Sequence, residues 1–427
     1  MFADVLQRAL SRFGIHYGWV MVLIAFLTTV CASAAFGLAG VLMVPITAEF
    51  GWSRTDVSSA IGLMFLLYAL IAPFSGALML SYGVSRVVGA AAALVTLSLV
   101  LLTMISERWH ILVSFGLIMG TAAGMVGLGL AATIASRWFV ARRGLVVGIL
   151  TSAFAAGQLV LVPAAAWLAT NMGWRWAVVP VLGGSLASAA LFSLFGRDWP
   201  GELGLPAYGE TKVEPPPAGN STGAIATSFA VLTEALPSPA FWALAGTFFI
   251  CGLSSAGIVQ QHFIPFCVDN NVSAIVAASY MAMMGVFNFI GTNLSGWLSD
   301  RFENRVLLAI YYSLRGLSLI WLPFSDLSVL SLTLWAIFFG LDYVATVPPT
   351  VRITGQQFGA VKGPVLFGWI FAAHQMGSAS AAFGSGVVRD SVLSYLPAFV
   401  AAGVACFVAV AMLAMIKSPP RPAVVAA

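Results

Sequence analysis

Phe371-Ala372-Ala373-His374-Gln375-Met376 sits in a long apolar segment near the C-terminal end, and Phe154-Ala155-Ala156-Gly157-Gln158-Leu159 is a near copy in an earlier one. The copies lie 217 residues apart, about half the chain. A second pair repeats at an offset of 220: Gly296-Trp297-Leu298-Ser299-Asp300-Arg301, followed by Arg305, and Gly76-Ala77-Leu78-Met79-Leu80-Ser81-Tyr82-Gly83, followed by Arg86. Two independent pairs at nearly one spacing point to two homologous halves.

The solvent of those halves follows from composition. The chain has 427 residues, 60% hydrophobic and 8% charged, with a mean hydropathy of +0.98. A soluble domain carries about 25% charged residues, so this chain cannot cover itself in water and the bilayer is its solvent. Runs of about 20 apolar residues read as transmembrane helices. Six are predicted near 17–45, 55–79, 84–105, 110–135, 144–170 and 174–196. Six more are predicted near 241–263, 273–298, 306–323, 327–349, 362–388 and 395–416. The expected fold is all-α and polytopic: a six-helix bundle (1–196), a linker (197–240), a second bundle (241–416) and a tail (417–427). The linker contains Glu214-Pro215-Pro216-Pro217 and reads as flexible. Cys31, Cys251, Cys267 and Cys406 lack metal or disulfide spacing and read as small buried hydrophobes.

Lys and Arg set the orientation. With the N-terminus in the cytosol, fourteen of the nineteen fall on the inside and four, Arg54, Arg108, Arg175 and Arg389, outside. The remaining one, Arg315, lies within a span. Both termini and the linker are therefore expected in the cytosol.

These motifs resemble the major facilitator superfamily over the whole chain. The Gly-x-Leu-x-Asp-Arg loop at Gly296, Asp300 and Arg301, with Arg305, is that superfamily's signature. Its partner keeps Gly76, Gly83 and Arg86 but has Leu80 in place of the acid. The resemblance implies that these loops brace each half and bias the inward–outward switch, with a weaker brace in the first half. Within the superfamily, His16-Tyr17-Gly18-Trp19 and Arg137-Trp138-Phe139-Val140-Ala141-Arg142-Arg143-Gly144 are similar to the monocarboxylate and oxalate/formate porter branch. The chain departs from that branch at two points. Tyr17, not an acid, precedes Gly18, and the eighth span has Asn288 and Thr292 where an Arg is common.

Ionisable groups at mid-bilayer cost about 2.5 kcal/mol or more, which makes each one informative. Arg315 and Asp342 lie about ten and eight residues from the cytosolic ends of consecutive antiparallel spans. Their depths differ by about 3 Å, so a salt bridge between them is predicted. Two readings stay open: a structural pair, or an acid that exchanges a proton or partner during transport. His374 occupies the place of Gly157, so the scaffold does not itself require a ring there. A histidine titrates near pH 6.5 and suits proton coupling or carboxylate binding; a neutral ring bonded to a neighbouring helix is the alternative. Gln375 matches Gln158 and reads as scaffold. Asn288 and Thr292 share a helix face, and Gln261 and His262 are candidates for the outer mouth of a central path. Val347-Pro348-Pro349-Thr350 is expected to bend or end the tenth span. Tryptophans near span ends, Trp109, Trp174, Trp242 and Trp297 among them, read as interfacial anchors.

No phosphate-binding glycine loop, metal cluster or nucleophile–base pair is evident. The expectation is a secondary transporter working by alternating access, not an enzyme, with no cofactor, metal or nucleic-acid partner. It is expected to act as a monomer in an inner membrane. The resemblance implies a small organic anion, a monocarboxylate, moved with a proton or exchanged for another anion. Efflux of hydrophobic drugs and a non-transporting sensor are the alternatives.

Overall fold

A computed structural model describes residues 2–127, 129–213 and 221–416. The proline run 215–217 and the tail 417–427 lie outside them. The membrane helices are α1 (Gly18–Phe50), α2 (Arg54–Tyr82), α3 (Val84–Thr103), α4 (Arg108–Val126, with a continuation at Gly129–Trp138), α5 (Arg143–Asn171) and α6 (Trp174–Phe195). The second set is α7 (Pro239–Gly257, continued by Val259–Asp269), α8 (Ala274–Ser299), α9 (Asn304–Phe324), α10 (Val329–Gly359), α11 (360–392) and α12 (Leu396–Met415).

Eleven of these helices are long and apolar enough to cross a membrane; α11 is not one of them. Gly359, at φ +81°, breaks it from α10. Its lower hydropathy comes from glycines and from His374, Gln375, Ser378, Ser380 and Ser385. These are tolerated because α11 is wedged between α2 of the first half and α7 of the second. In the α7–α11 crossing a Cβ on Gly252 would collide with the His374 carbonyl, and one on Gly377 with that of Phe249. Small residues thus let two backbones touch, and this contact fixes the height of His374.

The double proline does not simply end α10. The helix opens into turns at Tyr343–Thr346 and restarts at Val347 with the prolines in its first turn. Prolines fit there because first-turn amides need no intrahelical acceptor. The carbonyls left behind find side chains: Ala345 accepts from the Ser295 hydroxyl at 2.5 Å.

One face of the bundle carries the N-terminal helix, the linker and the end of α12; we call it the terminal face. There the signature loop is a brace. Asp300 pairs with Arg352 of α10, Arg301 stacks on Trp297 at 4.1 Å, and Arg305 donates to the Ile416 carbonyl at 2.5 Å. In the first half Arg86 is exposed, but the missing acid at Leu80 is supplied from elsewhere. Asp198, just after α6, accepts from the Ser85 amide at 3.0 Å at the start of α3. Arg137 donates to the Met79 carbonyl at 3.3 Å and stacks on Trp199 at 4.6 Å. Nearby Glu202 is pushed above the ordinary carboxyl range by burial and by the charge of Asp198.

The linker departs from expectation. Ser221–Ala235 is a helix, in which Ile225, Phe229 and Leu232 recur at helical spacing and Phe229 and Leu232 meet an apolar seam. Phe229 packs on Phe74 of α2 and Trp369 of α11, both at 5.4 Å between ring centres. The Trp369 indole donates to the Ser228 hydroxyl at 3.1 Å, and Lys362 pairs with Glu234 at 2.5 Å. Among the tryptophans Trp109, Trp242 and Trp297 are exposed as anchors, but Trp174 is buried and donates to Glu49 at 2.6 Å.

Candidate functional site

The predicted pair forms. Arg315 Nε donates to Asp342 Oδ2 at 2.5 Å, with the Arg315 side chain fully buried. The break in α10 explains what else the guanidinium does. Its Nη2 donates to the carbonyls of Asp342 and Tyr343 at 2.7 and 3.2 Å, the first of which also accepts from the Ala345 amide at 3.1 Å. Its Nη1 points the other way, to Cys251 Sγ of α7 at 3.1 Å and Ser254 Oγ at 3.5 Å. Arg315 therefore neutralises a buried acid and caps an interrupted helix together. Asp342 Oδ1 is left without a partner.

Cys251 is not an inert hydrophobe. Its thiol meets Thr346 Oγ1 at 3.2 Å, and the next residue of α7, Gly252, packs against the His374 carbonyl of α11. His374 is half-buried, stacked on Phe371 at 5.6 Å and 10° and tilted against Phe248 at 5.0 Å. Its Nδ1 has no hydrogen-bond partner. The structure thus brings His374, Arg315 and Asp342 together through a residue that sequence reasoning set aside.

From Asp342 the polar path continues to the interface between the halves. The Tyr343 hydroxyl donates to Gln260 Oε1 at 3.2 Å. Gln260, Tyr343 and Asn288 line a cleft with Gln158 and Phe154 of α5. The cleft holds about 30 Å³, room for a water or two, so the halves are closed on it. Gln260 Nε2 is buried without a partner, an arrangement that costs about 1–3 kcal/mol and calls for a reason. Asn288 accepts from Thr292 at 3.0 Å, so Thr292 orients it. Gln158 donates to the Ser33 carbonyl at 2.7 Å, the scaffold role expected of it, whereas Gln375 Oε1 is unpartnered. Gln261 and His262 do not line this cleft. Both are fully buried, and His262 is held between the Ala382 carbonyl at 2.8 Å and the Tyr395 hydroxyl at 3.4 Å. Eight residues beyond Gln158 and Gln260 along α5 and α7, about 12 Å, a crevice of about 410 Å³ opens at the opposite face.

A bundle of apolar helices in two halves, with a neutral polar cleft between them, is the architecture of a multi-pass membrane transporter. The chain belongs to the Major Facilitator Superfamily, whose family model matches residues 25–358. It is 26% identical over 390 residues to an uncharacterized MFS-type transporter, YcxA, of Bacillus subtilis (strain 168), covering 88% of this chain and 90% of that one. It is 24% identical over 391 residues to monocarboxylate transporter 13 of Rattus norvegicus, covering 91% and 86%. Among solved structures, it is similar to an inward-facing bacterial homolog of the human lysosomal transporter Spinster, with TM-score 0.68, 16% identity and coverage of 95% and 99%. The partially occluded inward-open xylose transporter XylE of E. coli gives TM-score 0.68 at 15% identity, with coverage of 95% and 100%.

Proposed function

We propose that this transporter carries a small monocarboxylate across an inner membrane by alternating access, as a monomer, with the terminal face in the cytosol. The observation that carries the reading is the polar path Cys251–Arg315–Asp342/Tyr343–Gln260, which ends in the cleft between the halves, with His374 set beside its start where α11 crosses α7 at Gly252. Arg315 and Asp342 cancel each other, so the path is neutral when His374 is neutral. Protonating His374 adds one positive charge to a low-dielectric core, and a carboxylate arriving in the cleft balances it. Gln260 Nε2 supplies an unspent donor for that carboxylate, with Asn288 beside it. Substrate and proton then bind best together, which is proton symport; exchange of one anion for another uses the same balance without releasing the proton. The likeness to monocarboxylate transporters over most of the chain agrees with this substrate class.

The test is uptake into proteoliposomes under an imposed pH gradient, with a panel of short monocarboxylates. The wild type is expected to accumulate at least one of them. His374→Gln is expected to keep exchange but to lose proton-driven accumulation by about tenfold or more. A folded protein that carries no acid of the panel sinks the substrate class, and an undiminished His374→Gln sinks the role of the histidine.

A further inference from the structure

A second cavity, of about 100 Å³, lies at mid-membrane among α1, α2, α3, α4 and α6 of the first half. Phe154 separates it from the cleft between the halves, since it borders both. Its size approaches that of an engineered cavity of about 150 Å³ that admits benzene. Among the described residues no Asp, Glu, Lys, Arg or His lines it.

The wall's hydrogen bonding is lopsided. Thr28 and Ser33 spend their hydroxyl protons on the carbonyls of Ile24 and Val30, at 2.8 and 3.0 Å. Ser185 and Ser188 spend theirs on Leu182 and Gly184, at 2.9 and 2.8 Å. These hydroxyl protons are committed within the wall, the Ser185 oxygen also meets Thr96 Oγ1 at 2.9 Å, and the Cys31 thiol adds only a weak donor. Tyr68 is the complement. Its hydroxyl has no acceptor among the described residues. Gly127 across from it leaves space that a Cβ would occupy at 3.3 Å from the oxygen. One donor and several acceptors suit a ligand group that both accepts and donates. They do not suit a carboxylate, which would exchange its hydration for a single donor.

We propose that this cavity is a binding site for a compact uncharged molecule of about six heavy atoms bearing one hydroxyl-type group. The site is distinct from the cleft at Gln260 and does not rest on the monocarboxylate reading. Occupancy reaches the second half through Tyr68. Its ring packs on Phe36 at 5.8 Å and against the edge of Phe371 at 5.7 Å and 70°, and Phe371 stacks on His374. A ligand that turns Tyr68 therefore displaces the ring that holds His374.

Trifluoroethanol and trifluoroacetate test the idea, being similar in size, opposite in charge state and both visible by fluorine NMR. The full chain is held in lipid nanodiscs, with empty nanodiscs as background. Trifluoroethanol is expected to give saturable line broadening with the wild type. Filling the cavity from two different helices, by Ala92→Leu on α3 or Ala123→Leu on α4, is expected to weaken that binding at least tenfold. Tyr68→Phe, which removes only the oxygen, is expected to weaken it about three- to tenfold. Broadening unchanged in both filled variants, each with a wild-type melting transition, overturns the site. A trifluoroacetate signal that disappears on filling overturns the claim that it takes an uncharged ligand.

Discussion

At the residue scale, Arg315 shows how a charge survives mid-membrane. It has an acid, two carbonyls and a thiol as partners, and each answers a specific debt: its own charge, or the break in α10. Removing one member of a buried pair costs about 3–5 kcal/mol, because it strands the other charge. Asp342→Asn is therefore expected to lower thermal stability and insertion by that order, measured by melting of the purified protein. The double variant Arg315→Leu/Asp342→Leu is expected to recover only part of the loss, since the carbonyls of Asp342 and Tyr343 then lose their cap. A single variant as stable as wild type contradicts this account. The pairing itself was legible in the sequence, because two antiparallel spans and a fixed rise per residue place both groups at one depth. The thiol was not legible, because nothing in the spacing of Cys251 distinguishes it from a core residue.

At the scale of elements, sequence signals are strong where one segment decides and weak where segments decide together. Apolar length predicted the helices of both halves. The double proline predicted a disturbance in α10, but its form, an opened turn before the prolines, depended on Arg315 and Ser295 receiving the carbonyls. Leu80 suggested a weakened loop, yet Asp198 reaches the start of α3 from beyond α6, a partner more than one hundred residues away in sequence. The helix within the linker, Ser221–Ala235, is hard to see in the sequence for a related reason. The linker's prolines dominate the composition, while Ile225, Phe229 and Leu232 become informative only against the seam formed by Phe74 and Trp369. This helix ties α2 to α11 across the two halves at the terminal face. Trp369→Ala removes an indole hydrogen bond and two ring contacts, together about 1–2 kcal/mol. Amide exchange over Ser221–Ala235 is expected to speed up by about tenfold, with the rest of the bundle unchanged. Equal protection in the variant means the helix is held by something other than this seam.

At the scale of the whole molecule, the two halves are clasped at the opposite face as well. Asp390, in the last turn of α11 and past the predicted apolar span 362–388, accepts from the Thr55 hydroxyl at 2.5 Å and from the amides of Thr55 and Arg54 at 2.7 and 3.1 Å, capping the start of α2. Asp269 at the end of α7 joins Arg54 at 3.3 Å and Arg389 at 2.6 Å. No local pattern announces the contacts that Asp390 and Asp269 make with Arg54 and Thr55, because each joins residues from different halves. Burial pushes the Asp390 carboxyl up, but the bonds from Thr55 and Arg54 outweigh it and hold it below its ordinary value of 3.8. A depressed carboxyl stabilises the clasped form fully above that ordinary value, and the stabilisation is lost as the pH falls through the depressed one. The clasp is therefore expected to be indifferent to pH between about 5 and 8 and to loosen only in stronger acid. Any pH dependence of transport in the neutral range then arises elsewhere, as the proposed proton on His374 requires. Asp390→Ala is expected to weaken the clasp by about 1 kcal/mol, after allowance for its solvent exposure. Spin-label pairs at the opposite-face ends of α2 and α11 report this directly. In the variant the separated population is expected to grow about fivefold at pH 7, and in the wild type to stay constant from pH 8 to pH 5. A wild-type distribution that opens between pH 7 and pH 6 refutes the assignment of the clasp to Asp390, since its carboxyl is ionised throughout that range.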